Sequence, residues 1–158
     1  MSPYVKIEQI PVTGKEQKRR LTPQMRALSK FYEALNNRDL EQMGRNWAHT
    51  DEAVMDNPVG GIKRGWDEIR SGYAQIFAHP DPFWFEFYDY TYHGAGKVFF
   101  VVCRERGEYR SGATVLRMAI RTTRIFRLTE GEWRQVHHHG SIEDAELLAR
   151  YQKAVRGG

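Results

Sequence analysis

The chain has 158 residues, enough for one domain with a core of its own and no need of covalent staples. Eight Phe, eight Tyr and four Trp argue against disorder, and the single cysteine, Cys103, excludes an internal disulfide framework or a cysteine-rich zinc module. The net charge of +4 is scattered apart from Lys15, Lys18, Arg19 and Arg20, so a solvated basic surface is expected, with no nucleic-acid partner. No stretch approaches the roughly 18 apolar residues of a membrane span, and the first twenty residues lack the apolar segment of a signal peptide. No membrane association is therefore expected, and a reducing cytoplasm is the expected compartment.

Residues 1–20 read as an arm. Tyr4 to Ile10 alternates roughly and predicts an edge strand, while Gly14 and the basic run after it are expected to be mobile. A single domain is expected over 21–158. Thr22-Pro23 is a helix start, and Met25, Leu28, Phe31, Tyr32 and Leu35 follow at helical spacing to Asn36-Asn37. Asp39 caps a short second helix carrying Leu40, Met43 and Trp47. Ala53-Val54-Met55 predicts a short strand that stops before Asn57-Pro58, and Val59 to Ile62 a turn. A third helix runs from about Trp66, with Ile69, Tyr73, Ile76 and Phe77 on one stripe. From Pro82 the period changes to two. Four strands are expected, over 83–93, 97–106, 113–128 and 133–140, with turns at 94–96, 107–112 and 129–131. Ser141 with Asp144 is expected to cap a closing helix. Helices first and antiparallel strands second predict an α+β fold.

The strand faces carry the chemistry. In the first long strand Phe83, Phe85 and Phe87 share one face, and Trp84, Tyr88, Tyr90 and Tyr92 the other. Val98 to Cys103 is apolar on both faces, which predicts a second covering surface and hence a homodimer. In the third strand the even positions from Leu116 to Leu128 form the core face, and Arg124 is the misfit on it. A buried guanidinium needs partners. It is either a pocket arginine that binds an anion or carbonyl, or a salt-bridge partner of Asp56 or Glu52, or a sign that the register is off by one.

In the last strand alternation puts His137 and His139 on one face with Trp133 and Gln135, and His138 on the other. Two same-face histidines lie about 7 Å apart, close enough for one metal if Asp56 or His93 joined them. They are also fit for proton transfer in a pocket, or for plain polar lining. Asp56 suits a general base and Asn57 a hydrogen-bond donor to a substrate oxygen, although Asp-Asn-Pro is also an ordinary turn signal. The chain carries no phosphate-cradling loop and no nucleophile elbow.

The run from Phe31 to Leu40, then Trp47, then Asp56-Asn57-Pro58-Val59-Gly60, then Gly65 to Ile69, resembles the front half of NTF2-like proteins. Thr123 to Arg127, followed by Trp133 to Ser141, resembles the last two strands of the SnoaL-like branch. The resemblance covers about residues 22–155. It implies a cone-shaped fold, with N-terminal helices closing over a strongly curved antiparallel or mixed sheet around a cavity, and homodimers through the outer sheet face. The front motif is most similar to ketosteroid isomerase. There the catalytic aspartate position falls on Asn57, the tyrosine position on Phe31 with Tyr32 beside it, and the strand aspartate near Arg124. Steroid isomerisation by that mechanism is not expected.

Two functional classes follow from the resemblance. One is a cofactor-independent dehydratase, cyclase, isomerase or hydrolase for a small hydrophobic oxygenated substrate, with no metal. His137 and His139 would be its acid/base groups and Asp56 a reserve base. Arg124, Asn57 and Tyr73 would position oxygen atoms, with Tyr32, Phe31, Trp47, Phe126 and Trp133 as further lining. The other is a non-catalytic dimeric module that binds a ligand or a protein.

Overall fold

The computed structural model describes residues 5–157. Tyr4, the first residue of the expected edge strand, and Gly158 lie outside the described residues. Four α-helices and six strands occur in the order α1 (Pro23–Asn37), α2 (Leu40–Asn46), β1 (Val54–Asp56), β2 (Lys63–Arg64), α3 (Gly65–Phe77), β3 (Phe83–Ala95), β4 (Val98–Ser111), β5 (Thr114–Thr129), β6 (Glu132–Ser141) and α4 (Ala145–Arg156).

The helix starts follow local chemistry. The Thr22 hydroxyl accepts from the Met25 N–H (3.2 Å), and Pro23 takes the first helical position, where no amide donor is needed. Asp39 accepts from the Gln42 N–H and starts α2. Asp144 accepts from the Leu147 N–H and caps α4. Ser141 has no part in that cap; it ends β6.

The strands form one curved mixed sheet in the order β2-β1-β6-β5-β4-β3, antiparallel except where β1 runs parallel to β6. Helices cover the inner face. The core there joins Leu28, Met43, Ile69 and Ile76 to Phe87, Phe99, Met118 and Phe126. On β5 the even positions from Leu116 to Phe126 are buried and the odd ones between them are exposed or half-buried, as the alternation predicts; Leu128 is half-buried.

Three expectations about the strands are corrected. The turn assigned to 107–112 is much shorter. β4 runs on to Ser111, and Gly112-Ala113 alone make the turn. Gly107 is a strand residue paired with Phe85, and a Cβ there would collide with the Trp84 carbonyl, so close backbone approach requires the glycine.

The other two corrections have one cause, an extra residue in a strand. β3 loses register with β4 between Tyr88 and Thr91, where Asp89 sits at φ 50°. The bulge reverses the alternation. Tyr90 and Tyr92 therefore leave the face of Trp84 and Tyr88. Tyr90 packs on Phe87 and Tyr92 on buried Phe99. On β6 the register breaks opposite Ile125 and Phe126, which pair with His137 and Gln135, so Val136 is the extra residue. Trp133 and Gln135 then share the inner side with His138, while His137 and His139 face out.

The arm is held, in contrast to the mobility expected after Gly14. Glu8 and Val12 exchange backbone hydrogen bonds with Tyr90 and Phe87, which protects the edge of β3. Glu16 accepts from the Gly14 N–H (2.9 Å) and from the Ser29 hydroxyl on α1. Burial alone would raise the Glu16 carboxyl, but the bonds from Ser29 and Thr13 outweigh it and hold the group below its usual range.

Candidate functional site

Arg124, in the middle of β5, is 1% exposed. Neither of the acids expected to pair with it does so. Its partners come from three other elements. Nη2 donates to Glu105 Oε1 on β4 (3.0 Å), Nη1 to Gln135 Oε1 on β6 (2.8 Å), and Nε to the Tyr32 hydroxyl on α1 (3.3 Å). The guanidinium carbon also stands 3.6 Å from the centre of the Phe31 ring, a cation–π contact. Burial opposes the charge, but Tyr32 and Glu105 favour it, and Arg124 holds its proton more tightly than usual. Glu52 instead pairs with Arg127 (Nε to Oε2, 2.9 Å).

His138 is the cross-strand neighbour of Arg124. It is 6% exposed, and neither ring nitrogen has a hydrogen-bond partner. Burial first, then the charge of Arg124 and the flanking His137 and His139, hold its pKa well below the ordinary 6.5. The ring is therefore neutral at pH 7, with one nitrogen able to donate and one able to accept.

These groups meet at an interior pocket of about 40 Å³, room for roughly three waters. Asn57, Tyr73, Glu105, Arg124, His138 and Tyr151 supply its polar lining; Phe31, Leu35, Ile76, Phe85 and Ile120 supply apolar walls. The Tyr73 hydroxyl is buried and unpartnered, and burial pushes its pKa up to about 12, so it keeps its proton. Asn57 Oδ1 accepts from the Val59 N–H (3.2 Å), which fixes the turn, and its amide nitrogen donates to Met55 Sδ (3.9 Å) at the edge of the pocket lining. The arrangement pairs a neutral imidazole with fixed donors around a space whose one buried cation is matched by one buried carboxylate.

Of the residues singled out from sequence, Phe31, Asn57, Tyr73 and Arg124 line the pocket, and Tyr32 holds Arg124 from behind. Trp47, Phe126 and Trp133 do not line it. Trp47 is fully buried core, Phe126 stacks on Phe99 at 4.7 Å, and Trp133 meets Phe99 edge-on at 5.1 Å. Asp56, His137 and His139 do come together, but on the outer face of the sheet. His137 Nδ1 donates to the Val54 carbonyl (3.0 Å). Its Nε2 lies 3.8 Å from one Asp56 oxygen, and His139 Nδ1 lies 3.5 Å from the other. The bulge at Val136 is the reason. Among the described residues no group of three His, Cys, Asp or Glu side chains is arranged to hold a metal ion. Glu105 was missed from sequence. The signal was available, because Phe99, Val101 and Cys103 precede it on the same buried face of β4, which makes it a second misplaced charge on the inner face that carries Arg124.

The family model of the SnoaL-like domain matches residues 25–145, most of the chain. The chain belongs to the SnoaL-like domain family. The solved structures similar to this SnoaL-like domain differ in what their names describe. One is a candidate dehydratase of the NTF2-like family from Streptomyces avermitilis, with 24% identity over 75% of this chain and 92% of that one, TM-score 0.68. An NTF2-like protein of unknown function from Pseudomonas putida KT2440 has 21% identity over 82% and 89%, TM-score 0.66. The association domain of C. elegans CaMKII has 17% identity over 75% and 92%, TM-score 0.61. At these identities the likeness is one of fold. No curated protein matches the chain. Among the described residues no helix is long and apolar enough to cross a membrane.

Proposed function

We propose that this SnoaL-like domain binds a small, uncharged, oxygen-bearing molecule in the interior pocket and exchanges a proton with it through His138. The reaction class is a lyase, isomerase or hydrolase step that uses only acid/base groups of the chain. The observation that carries this reading is the imidazole of His138, buried beside a fixed cation with both nitrogens unpartnered. Leaving such groups unsatisfied costs about 1–3 kcal/mol each, and a ligand oxygen offsets that cost. Arg124 and Glu105 cancel one another, so an uncharged ligand fits better than an ion. On this reading Tyr73 and Asn57, both in the lining, donate to its oxygen atoms. The acid/base role expected for His137, His139 and Asp56 passes to His138, because those three face away from the pocket.

The test is a thermal-shift and turnover panel of oxygen-bearing molecules of about three or four heavy atoms, such as ethylene oxide, acrolein and glycolaldehyde, matched to the space for roughly three waters. A compound that binds the folded state raises its melting temperature. That shift and any turnover are expected to disappear in His138→Leu and to persist in His137→Ala. A ligand that binds His138→Leu as well as the native chain overturns the reading.

The second reading is a non-catalytic module whose function is assembly through the outer sheet face. Trp84, Phe100, Val102 and Val115 are exposed large apolar side chains on that face, the kind of surface a second copy can cover. The name of the C. elegans neighbour, an association domain, agrees with such a role. A homodimer of this kind is compatible with either reading. Light scattering on the native chain and on Phe100→Asp decides it: a dimer that becomes a monomer supports the outer-face contact, and a native monomer removes it.

A further inference from the structure

A groove of about 650 Å³ lies between α2, the residues that follow it, α3 and β6, and shares no lining residue with the interior pocket. Its aromatic element is a stacked pair. The His49 imidazole lies parallel to the Trp66 indole, with ring centres 5.1 Å apart and planes 2° from parallel. Two contacts fix the pair. Gly44 lets the indole rest against α2, since a Cβ there would stand 3.0 Å from Trp66 Cζ2. The Gly44 carbonyl lies 2.8 Å from His49 Nε2. A carbonyl only accepts, so Nε2 carries the hydrogen. The result is a flat platform ordered before any ligand arrives, which spares binding the cost of ordering it.

Charge surrounds that platform on one side of the balance. Arg45, Arg70 and Arg134 line the groove, and Glu41 is the one acidic residue in the lining. Glu41 is already paired with Arg45 (2.8 Å). Arg134 is held in place by the Arg45 carbonyl (2.6 Å) and Glu132 (2.8 Å). Arg70 makes no ion pair or side-chain hydrogen bond among the described residues, and its fork is open to a ligand. A guanidinium fork matches the two oxygens of a carboxylate or phosphate.

We propose that this groove binds a flat aromatic molecule bearing a carboxylate or phosphate group. The ring packs against the Trp66–His49 pair, and the anion is held by Arg70 with the remaining donors of Arg134. This site is independent of the interior pocket, in its residues and in the charge of its ligand.

The test is a titration of the full chain with phenyl phosphate and with benzoate, read from the four indole N–H signals in 15N NMR and assigned with Trp66→Phe. The expected result is a saturable shift confined to the Trp66 signal. Arg70→Ala, at an exposed position, is expected to weaken binding about tenfold or more, the loss of one charge-assisted contact. His138→Leu should leave the affinity unchanged, which separates this site from the pocket reading. Cyclohexanecarboxylate removes the aromaticity of the ring and inorganic phosphate removes the ring itself, and each should bind more weakly than the aromatic anions. The proposal is overturned if inorganic phosphate binds as tightly as phenyl phosphate, if Arg70→Ala changes nothing, or if millimolar probe gives no saturable shift at Trp66.

Discussion

The two faces of the sheet at β6 hold the same residue type in opposite environments. His138 points inward, is 6% exposed and stays neutral beside Arg124. One residue away on either side, His137 and His139 point outward beside Asp56, and the His139 side chain is 58% exposed. Inside, each charge has a dedicated partner, because an unpaired buried ion costs several kcal/mol. Outside, pairs such as Arg104 with Asp89 or Arg121 with Glu143 stand at 3.2–3.5 Å in contact with solvent and contribute little. The difference separates two environments. Three adjacent histidines are not one cluster but two sites on opposite sides of a single backbone.

Substitution tests that division, beginning with its largest expected effect. Glu105→Ala leaves Arg124 buried without its counter-ion, and is expected to destabilise the fold by about 3–5 kcal/mol. Asp56→Ala, on the outer face, is expected to cost under about 1 kcal/mol. Urea melts of both variants check the contrast, and equal losses break it.

Acid comes next. His138 is held neutral when folded but takes a proton at its ordinary 6.5 when unfolded. Between those two values the unfolded chain binds more protons, so this contribution is complete above about pH 6.5 and is lost as pH falls toward the lowered folded value. His138→Leu should remove that part of the acid sensitivity. At pH 7 it should leave stability equal or raise it by about 1 kcal/mol, because two unpartnered polar atoms are gone. Melts of both proteins from pH 7 down to pH 5 give the comparison.

The smallest effects are expected outside. His137→Ala and His139→Ala should each change stability by no more than about 0.5 kcal/mol. Neither should alter binding or turnover in the pocket. If either abolishes turnover, the outer cluster is the reacting one and the inner assignment fails.

Much of this was legible in the chain. Thr22, Asp39 and Asp144 mark helix starts through hydrogen bonds to residues three positions away, so a local reading suffices. The misfit of Arg124 was visible because β5 keeps strict alternation from Leu116 to Phe126. Glu105 was equally legible, since β4 alternates just as regularly through that position. The inward turn of His138 was not. A bulge at Val136 has no marker in its own sequence; it arises where β6 must pair with β5 on one side and run parallel to β1 on the other. The same holds for Asp89 in β3, where the arm crosses the sheet edge at Phe87 and Tyr90.

The sequence by itself determined the α+β order, the helix starts, the buried face of β5 and the presence of a charge that needed a partner. Those properties depend on neighbours a few residues apart and on the period of two. Only the tertiary structure decided which partner the charge takes and which histidine faces it. One extra residue in a strand reverses every side chain beyond it, and the pairing of distant strands alone says where that residue falls.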